Sequence, residues 1–273
     1  MITIIFSKDR AMQCDLTLNS LEKNRIGNVN PHVLYSCSNE RHEKSYEILK
    51  KEHPNVYFHR ETNFQNDLLE LIKGQDYIML LVDDNIFTNN FNINKITKLL
   101  YDYPELIGFS LRLGVNTTYC YSLNCQQEIP PCIKPYNDML IFGWVGADSD
   151  YGYPLELSSS VYPINNIYSI LYNTEYNNPN DLEWNMFQCL PMFRTTKPFL
   201  VSYEQSVAFC NPINKINIGN NRSGTNIEYS IDSLLTEYER CGRIMYSPFK
   251  GFISNACHQE VDIFIDYKEK NDQ

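Results

Sequence analysis

The sequence predicts an α/β fold, a three-layer α/β/α sandwich in which helices cover both faces of a mixed, mostly parallel central sheet. Up to about residue 115, short apolar runs alternate with helical patterns, as in successive βαβ units. The run Tyr77–Val82 is apolar without period-2 alternation, which is typical of a strand buried on both faces. Two carboxylates follow it at once, at the end of a strand where ligands of such sheets bind.

The elements of this first part follow one another regularly. Strands are predicted over residues 2–6, 32–37, 56–59, 77–82 and 106–111, and helices over residues 16–23, 43–51, 66–73 and 94–101. Pro54 follows the second helix and Gly74 closes the third, because neither residue readily continues a helix.

The second part is richer in Tyr, Pro, Gly and Ser. Strands are predicted over residues 139–145 and 199–207, and a helix over residues 166–172. Since no repeat or linker interrupts the chain, we expect one continuous domain over residues 1–273.

Two further helices carry recognisable end signals. One is predicted to begin at Pro179, with Asn178 as its N-cap. The other is predicted over residues 231–240, capped by Ser230 or Thr225 and closed by Gly242.

Composition restricts the class of partner and the compartment. The net charge of -10, with no basic block to offset it, argues against a nucleic-acid or anionic-membrane partner. No run approaches the roughly 20 apolar residues of a membrane span, so no transmembrane segment is expected. The 9 Cys form no disulfide framework or zinc pattern, and their odd number disfavours full pairing. A reducing, cytoplasmic location is therefore expected.

The adjacent acids Asp83 and Asp84 admit two interpretations. They are a solvated turn, since Asp and Asn favour turns, or they share a divalent cation that also holds a phosphate. No Gly-x-Gly-x-x-Gly follows the first strand and no Walker sequence occurs, which counts against a dehydrogenase or a P-loop enzyme.

In the order of its parts the chain resembles the nucleotide-diphospho-sugar glycosyltransferases of the GT-A fold. The residues that carry this resemblance are Ser7 and Arg10 after the first strand, Asp83-Asp84-Asn85, Asp181, Glu183 and His258. The resemblance implies a metal-dependent enzyme that transfers a sugar from a nucleotide-diphosphate donor to a hydroxyl acceptor, by inversion, with Mn²⁺ or Mg²⁺. It also implies a nucleotide-binding half, residues 1–115, and an acceptor-binding half, residues 116–273.

Asn85 departs from the Asp-x-Asp pattern that is common in these enzymes and leaves two alignments. In the first, which we favour, Asp84 binds the metal and Asp83 contacts the ribose. In the second, Asn85 replaces a metal ligand and weakens the site. The resemblance implies that His258 is a second protein ligand, and imidazole suits Mn²⁺ better than Mg²⁺. The alternative for a lone His is a structural role.

Inverting transfer requires a base for the acceptor hydroxyl. The resemblance places this base at a helix start, where Glu183 and Asp181 lie, and Glu183 is preferred. Acids in a first turn also complement the helix dipole without any catalytic role.

Other residues are expected around the donor. Ser7 and Arg10 are expected to contact the nucleotide-sugar, although Arg10 is as easily paired with Asp9. Asn39 is a candidate base or ribose contact or a simple turn residue. Arg112 leaves a buried strand toward the ligand edge, where it binds phosphate or forms an internal salt bridge.

An acceptor platform is expected from Trp144 and the segment 148–153, including Asp150, because aromatic faces pack on sugars and acids bind hydroxyls. Plain packing is the alternative. The loop 220–224 is a candidate lid over the diphosphate or an ordinary surface loop.

Two rival functions remain at this point. A nucleotidyltransferase has a related sheet, but typically a Gly-rich loop after the first strand, which Ser7-Lys8-Asp9-Arg10 lacks. A non-catalytic carbohydrate-binding protein would keep the fold and lose turnover.

Overall fold

The fold is built on a nine-stranded central sheet, seen in a computed structural model that describes residues 1–215, 222–224 and 229–267. The strand order is β11-β12-β14-β8-β13-β5-β1-β3-β4. Strands β12 and β13 run opposite to the other strands of this sheet. The sheet is therefore mixed and mostly parallel, and it takes strands from both sides of residue 115.

The bounds of the elements, in chain order, are as follows. The strands are β1 (Ile2–Lys8), β2 (Arg25–Ile26), β3 (Pro31–Ser36), β4 (Tyr57–Arg60), β5 (Tyr77–Val82), β6 (Asn85–Phe87), β7 (Phe91–Asn92), β8 (Leu106–Ser110), β9 (Tyr119–Cys120), β10 (Cys125–Gln126), β11 (Cys132–Tyr136), β12 (Met139–Gly143), β13 (Ser160–Pro163), β14 (Phe199–Tyr203), β15 (Ala208–Cys210), β16 (Gly242–Ile244) and β17 (Ile265–Tyr267). The helices are α1 (Ala11–Asn24), α2 (Glu40–Glu52), α3 (Phe64–Leu71), α4 (Ile93–Asp102), α5 (Ile164–Asn173), α6 (Pro179–Gln188) and α7 (Ile231–Glu239).

Two hydrophobic cores lie on opposite faces of the sheet. Successive side chains of a strand point to opposite faces, so Ile5 joins one core while Ile4 and Phe6 join the other. Helices α1, α2, α4 and α7 cover the first face, and α3, α5 and α6 cover the second. The three-layer α/β arrangement predicted from the sequence is confirmed.

Asparagine and serine side chains start most of these helices. Each accepts a hydrogen bond from a backbone N–H of the first turn, which removes one of the unpaired donors of a helix start. The capping residues are Asn39 (α2), Asn63 (α3), Asn92 (α4), Asn178 (α6) and Ser230 (α7). The predicted caps Asn178 and Ser230 are confirmed, and the alternative Thr225 lies outside the described residues.

The sequence prediction misses several short strands of the second half, among them β11 of the central sheet, and it errs at the following places near the site. The four-residue strand β13, between β5 and β8, was not predicted. The predicted strand 199–207 ends at Tyr203, and a separate strand, β15, pairs with β6. Helix α7 is not closed by Gly242, which begins β16; Cys241 takes the left-handed backbone conformation instead, with φ 69°.

None of the helices in the described part of the chain has the length and apolar character that a bilayer crossing requires.

Candidate active site

One edge of the sheet collects the polar groups. Strands β1, β5 and β8 end there, and β13 begins there because it runs the other way. In parallel sheets this edge is where ligands bind. The segments that leave it bring Asp83, Asp84, Arg112 and Glu156 to the same side of the molecule.

Asp83 is held inside the protein. It is buried, and its carboxylate accepts hydrogen bonds from the Ser7 hydroxyl (2.9 Å), the Lys8 backbone N–H (3.2 Å) and the Arg10 guanidinium (3.1 Å). Ser7 also shares a hydrogen bond with the Tyr46 hydroxyl. These contacts tie the end of β1 to the end of β5, and they favour a structural role for Asp83 and Ser7 over contact with the donor.

Asp84 is placed differently. Its Oδ1 is buried and has no hydrogen-bond partner within the described residues. Its Oδ2 lies 3.6 Å from a guanidinium nitrogen of Arg10. Burial, with the charge of Asp83 adding to it and Arg10 opposing, raises the pKa of Asp84 to about 6. Because the Asp84 Oδ1 has no partner among the described residues, this oxygen is available to a cation.

Arg10 serves both acids. Its Nη1 contacts Asp83 and Asp84, and its Nη2 donates to the Asn214 carbonyl at 2.7 Å. The alternative partner predicted for it, Asp9, is wrong: Asp9 accepts hydrogen bonds from the backbone and hydroxyl of Ser38. Arg10 therefore compensates the charge of the acid pair.

Asn85 shapes the turn between β5 and β6. Its Oδ1 accepts from the Val82 backbone N–H at 2.8 Å, and its amide donates to the Cys210 sulfur at 3.1 Å. Both ends of the side chain are thus used within the protein. This favours the alignment in which Asp84, rather than Asn85, is the candidate ligand.

His258 lies beside Asp84 across a single strand. The backbone N–H of Asn211, which follows β15, donates to the Asp84 carbonyl at 2.9 Å. On the other side of β15, His258 forms a bridge with Cys210. The two backbones are about two strand spacings, or roughly 10 Å, apart. Burial and the charge of Arg112 lower the pKa of His258 to about 3, so its imidazole is neutral.

The residues present fit a cation that takes few protein ligands. Within residues 1–215, 222–224 and 229–267, no group of three or more His, Cys, Asp or Glu side chains is arranged to hold a metal. Mg²⁺-type sites often use one or two carboxylates plus substrate phosphates. The Asp84 Oδ1, unpaired within the described residues, is a donor of that kind, and the neutral His258 imidazole is a nitrogen donor that suits Mn²⁺ better.

Arg112 and Glu156 form a buried ion pair behind this edge. The Arg112 Nε lies 3.5 Å from a Glu156 carboxylate oxygen, and Glu156 also accepts from the Ser158 backbone and the Ser160 hydroxyl. Burial lowers the pKa of Arg112, but the charge of Glu156 leads the opposing effects and the net pKa lies well above its usual value. The predicted alternative of an internal salt bridge is confirmed. Since Arg112 is buried, this arrangement favours that role over contact with phosphate.

Glu183 extends the same cluster. It lies on α6 with one oxygen 3.3 Å from the Leu157 backbone N–H, which donates to it. Burial first, and then the charge of Glu156, raise the pKa of Glu183 to about 7, while Arg112 opposes the shift. A carboxylate that titrates near neutrality suits a general base.

Asp181 has a local role in the structure. Its carboxylate accepts from the Asn178 side chain at 2.8 Å and from the Asn177 backbone at 3.2 Å. These contacts close the first turn of α6, which favours the helix-start interpretation for Asp181 and leaves Glu183 as the better candidate base.

Three other residues that were predicted to contact the donor or the acceptor lie in the following surroundings. Asn39 is exposed and caps α2 by accepting from Arg41 and His42. The Trp144 ring is only 3% exposed, and its indole donates to the Lys197 carbonyl at 2.7 Å, so no face is presented to a sugar. Asp150 is buried near Arg112 with one carboxylate oxygen unpartnered among the described residues, and this keeps it a candidate polar contact.

The predicted lid, residues 220–224, lies partly outside the described residues, which omit Asn220 and Asn221. Within the described part, the Arg222 guanidinium lies over the Tyr121 ring and donates to Asn124 at 2.6 Å.

Sequence reasoning missed two residues of the site. Glu156, in Leu155-Glu156-Leu157, is an acid between apolar residues, and that setting signals a buried charge in need of a partner. Cys210 is buried near both charges: burial first, and then the charge of Asp84, raise the pKa of its thiol, while the charge of Arg112 opposes the shift. Nothing in its sequence neighbourhood distinguishes it from the other cysteines.

The chain is similar in sequence to a glycosyltransferase. Over 209 residues it is 31% identical to the bifunctional glycosyltransferase pgtA of Dictyostelium discoideum, a match that covers 67% of this chain. The chain spans 27% of the length of that protein. No family model matches the chain. The resemblance to glycosyltransferases predicted from the sequence is confirmed by this relative.

Solved structures that are similar to this chain have low sequence identity to it. They include the mannosyltransferase PcManGT from Pyrobaculum calidifontis in complex with GDP-Man and Mn²⁺ (TM-score 0.46, 10% identity, 79% of this chain and 58% of that chain). TarS 1-349 from S. aureus gives a TM-score of 0.47 at 12% identity, over 77% and 60% of the two chains. A cytidylyltransferase from Leptospira borgpetersenii gives 0.41 at 11% identity, over 74% and 75%.

Proposed function

We propose that this protein is a glycosyltransferase that moves a sugar from a nucleotide-diphosphate donor to a hydroxyl acceptor, by inversion and with Mn²⁺ or Mg²⁺. The observation that carries the class of reaction is the 31% identity over 209 residues to a glycosyltransferase. The polar edge of the sheet supports the assignment of roles, with residues 1–115 supplying the donor side and residues 116–273 the acceptor side.

Asp84 and His258 are the proposed metal ligands. The Asp84 Oδ1 is buried without a partner, and the His258 imidazole is neutral, so each presents a lone pair at no cost in proton release near neutral pH. A divalent cation held there would stabilise the charge that develops on the leaving diphosphate. Arg10 stays with the acids and keeps Asp83 in place.

Glu183 is the proposed base. The acceptor oxygen forms a bond to the anomeric carbon while the bond from that carbon to the diphosphate oxygen breaks. Glu183 takes the proton of the acceptor hydroxyl, and the nucleoside diphosphate leaves with the electron pair. The pKa of about 7 means that the carboxylate is deprotonated in a useful fraction at neutral pH and still basic enough to accept a proton.

Arg112 and Glu156 are proposed to set the charge states of His258 and Glu183 without contacting the substrate. Burial lowers the pKa of His258 and the Arg112 charge adds to this shift; burial likewise raises the pKa of Glu183 and the Glu156 charge adds to that shift. Arg112 acts through His258 and Glu156 acts through Glu183, so Arg112 and Glu156 are positioning residues rather than catalytic ones.

A cytoplasmic location is also proposed. All nine cysteines lie in the described residues as free thiols, and Cys125 and Cys132 are exposed. Exposed unpaired thiols persist best in a reducing compartment.

The proposal is tested by thermal shifts with UDP-, GDP- and CMP-sugars, with and without Mn²⁺. A ligand that binds the native state raises the melting temperature by mass action. We expect one donor to give a Mn²⁺-dependent shift, and Asp84→Asn to abolish the Mn²⁺-dependent part. The matched control is Asp102→Asn, which changes an acid paired with Lys98 on the surface of α4.

Turnover of the same donor separates the remaining functions. Release of the free nucleoside diphosphate, lost in Glu183→Gln, supports glycosyl transfer. Release of pyrophosphate from a nucleoside triphosphate would indicate a nucleotidyltransferase, and binding without any turnover would indicate a binding protein. Equal Mn²⁺-dependent shifts in Asp84→Asn and Asp102→Asn would remove the metal assignment.

A further inference from the structure

Three aromatic side chains form a surface patch beside Glu183. Tyr153 and Phe187 stack with ring centroids 5.2 Å apart and planes 25° apart. Trp184 and Phe187 follow at 5.7 Å and 32°. We call Tyr153, Trp184 and Phe187 the α6 aromatic patch.

The patch is continuous with the candidate base. Glu183 and Phe187 are four residues apart on α6, and Trp184 and Phe187 are three apart, so these side chains neighbour one another on the helix surface. Tyr153 links the patch to the buried cluster. Burial and then the charge of Glu183 raise its pKa, with a further contribution from Glu156.

The patch is open to a ligand. Trp184 is 60% exposed and Phe187 is 37% exposed, whereas Trp144 is 3% exposed. Large exposed aromatic groups that touch one another commonly mark a binding site. Stacked rings offer a flat apolar face, and the Glu183 carboxylate next to them offers a hydrogen-bond acceptor.

We propose that the α6 aromatic patch is the acceptor subsite and that it binds a saccharide by stacking against the C–H face of a sugar ring. A saccharide fits this surface because it has two kinds of group: its apolar C–H face can pack on the aromatic side chains, and its hydroxyl can donate to Glu183. This proposal rests on the proposed function and gives it a substrate class, a carbohydrate acceptor. It replaces Trp144, whose ring is buried.

The chain contains two tryptophans, and their burial allows a direct test. Because Trp144 is buried, acrylamide quenching of tryptophan fluorescence reports mainly on Trp184. The probes are the methyl glycosides of glucose, galactose, mannose, N-acetylglucosamine, N-acetylgalactosamine and fucose. We expect at least one of them to protect Trp184 from quenching.

Phe187→Ala removes the central ring and leaves the reporter in place, so we expect it to abolish the protection. The matched control is Tyr172→Ala, which removes one ring of the exposed Tyr168–Tyr172 stack on α5. We expect this control to keep the protection. Once an acceptor glycoside is found, Trp184→Ala should raise its KM at least about tenfold, equivalent to ~1.4 kcal/mol.

The proposal is overturned if none of the six glycosides protects Trp184, or if protection persists in Phe187→Ala. It is also overturned if light scattering finds a dimer that Phe187→Ala converts to a monomer, since the patch is then a protein interface. The Mn²⁺-dependent donor shift is measured on the same samples. If no donor gives that shift but a glycoside still protects Trp184, the proposed transferase function is rejected. If a donor gives the shift but no glycoside protects Trp184, only the acceptor subsite is rejected.

Discussion

Glu183→Gln is expected to stabilise the protein at alkaline pH. The folded state raises the pKa of Glu183 to about 7, from 4.5. A carboxyl with a raised folded pKa contributes stability that is complete below pH 4.5 and is lost as the pH rises to 7. At pH 8 the wild type therefore carries a partly buried carboxylate near Glu156, and the neutral amide of glutamine removes that charge.

The magnitude follows from the shift of about 2.5 pH units, at about 1.36 kcal/mol per unit. The gain in unfolding free energy is about 3 kcal/mol at pH 8 and under about 1 kcal/mol at pH 5. Urea unfolding at the two pH values measures it, with Glu128→Gln as the control, because Glu128 is exposed. An equal effect of Glu183→Gln at both pH values would refute the assignment of the raised pKa to this residue.

Three further predictions follow from the same contacts. Glu156→Gln removes the charge that helps raise the pKa of Glu183, so the rising limb of the pH–rate profile should move to lower pH by about one unit; an unchanged limb would contradict the coupling. Arg10→Gln leaves Asp83 and Asp84 uncompensated and should destabilise the fold by about 3 kcal/mol in urea titrations at pH 8, with recovery toward pH 5 as Asp84 protonates. Asn178→Ala removes the N-cap of α6 and should cost about 1 kcal/mol without changing the melting temperature shift produced by donor and Mn²⁺; Asn177→Ala is its control.

The local sequence pattern was enough to predict an element where the residues of that segment alone decide its secondary structure. Tyr77–Val82 is the strand that its apolar run predicted, because a run buried on both faces needs no alternation. The helix at Pro179 begins where Pro and Asn place it, since the cap bond forms within four residues. The candidate metal acid was located for the same reason, as it directly follows the strand.

Pairing between strands that are distant in sequence decided the elements that the local sequence pattern could not predict. Strand β13 has the sequence Ser-Val-Tyr-Pro and is a strand because β5 and β8 hydrogen-bond to both its edges. Its antiparallel insertion brings Glu156 to the polar edge, against Arg112, which follows β8, and near Glu183 on α6. Trp144, an apparent platform, was buried by packing instead.

The sequence by itself determined the layer architecture and placed Asp84 directly after the buried strand β5, whereas Glu183 and Asp181 both stayed candidates for the base. Only the tertiary structure decided that Arg10 neutralises the acid pair, that His258 lies one strand from Asp84, and that Glu183 titrates near neutrality. The physical reason is range. Propensity and capping act within a few residues, whereas charge compensation and burial depend on groups that folding brings together from distant parts of the chain.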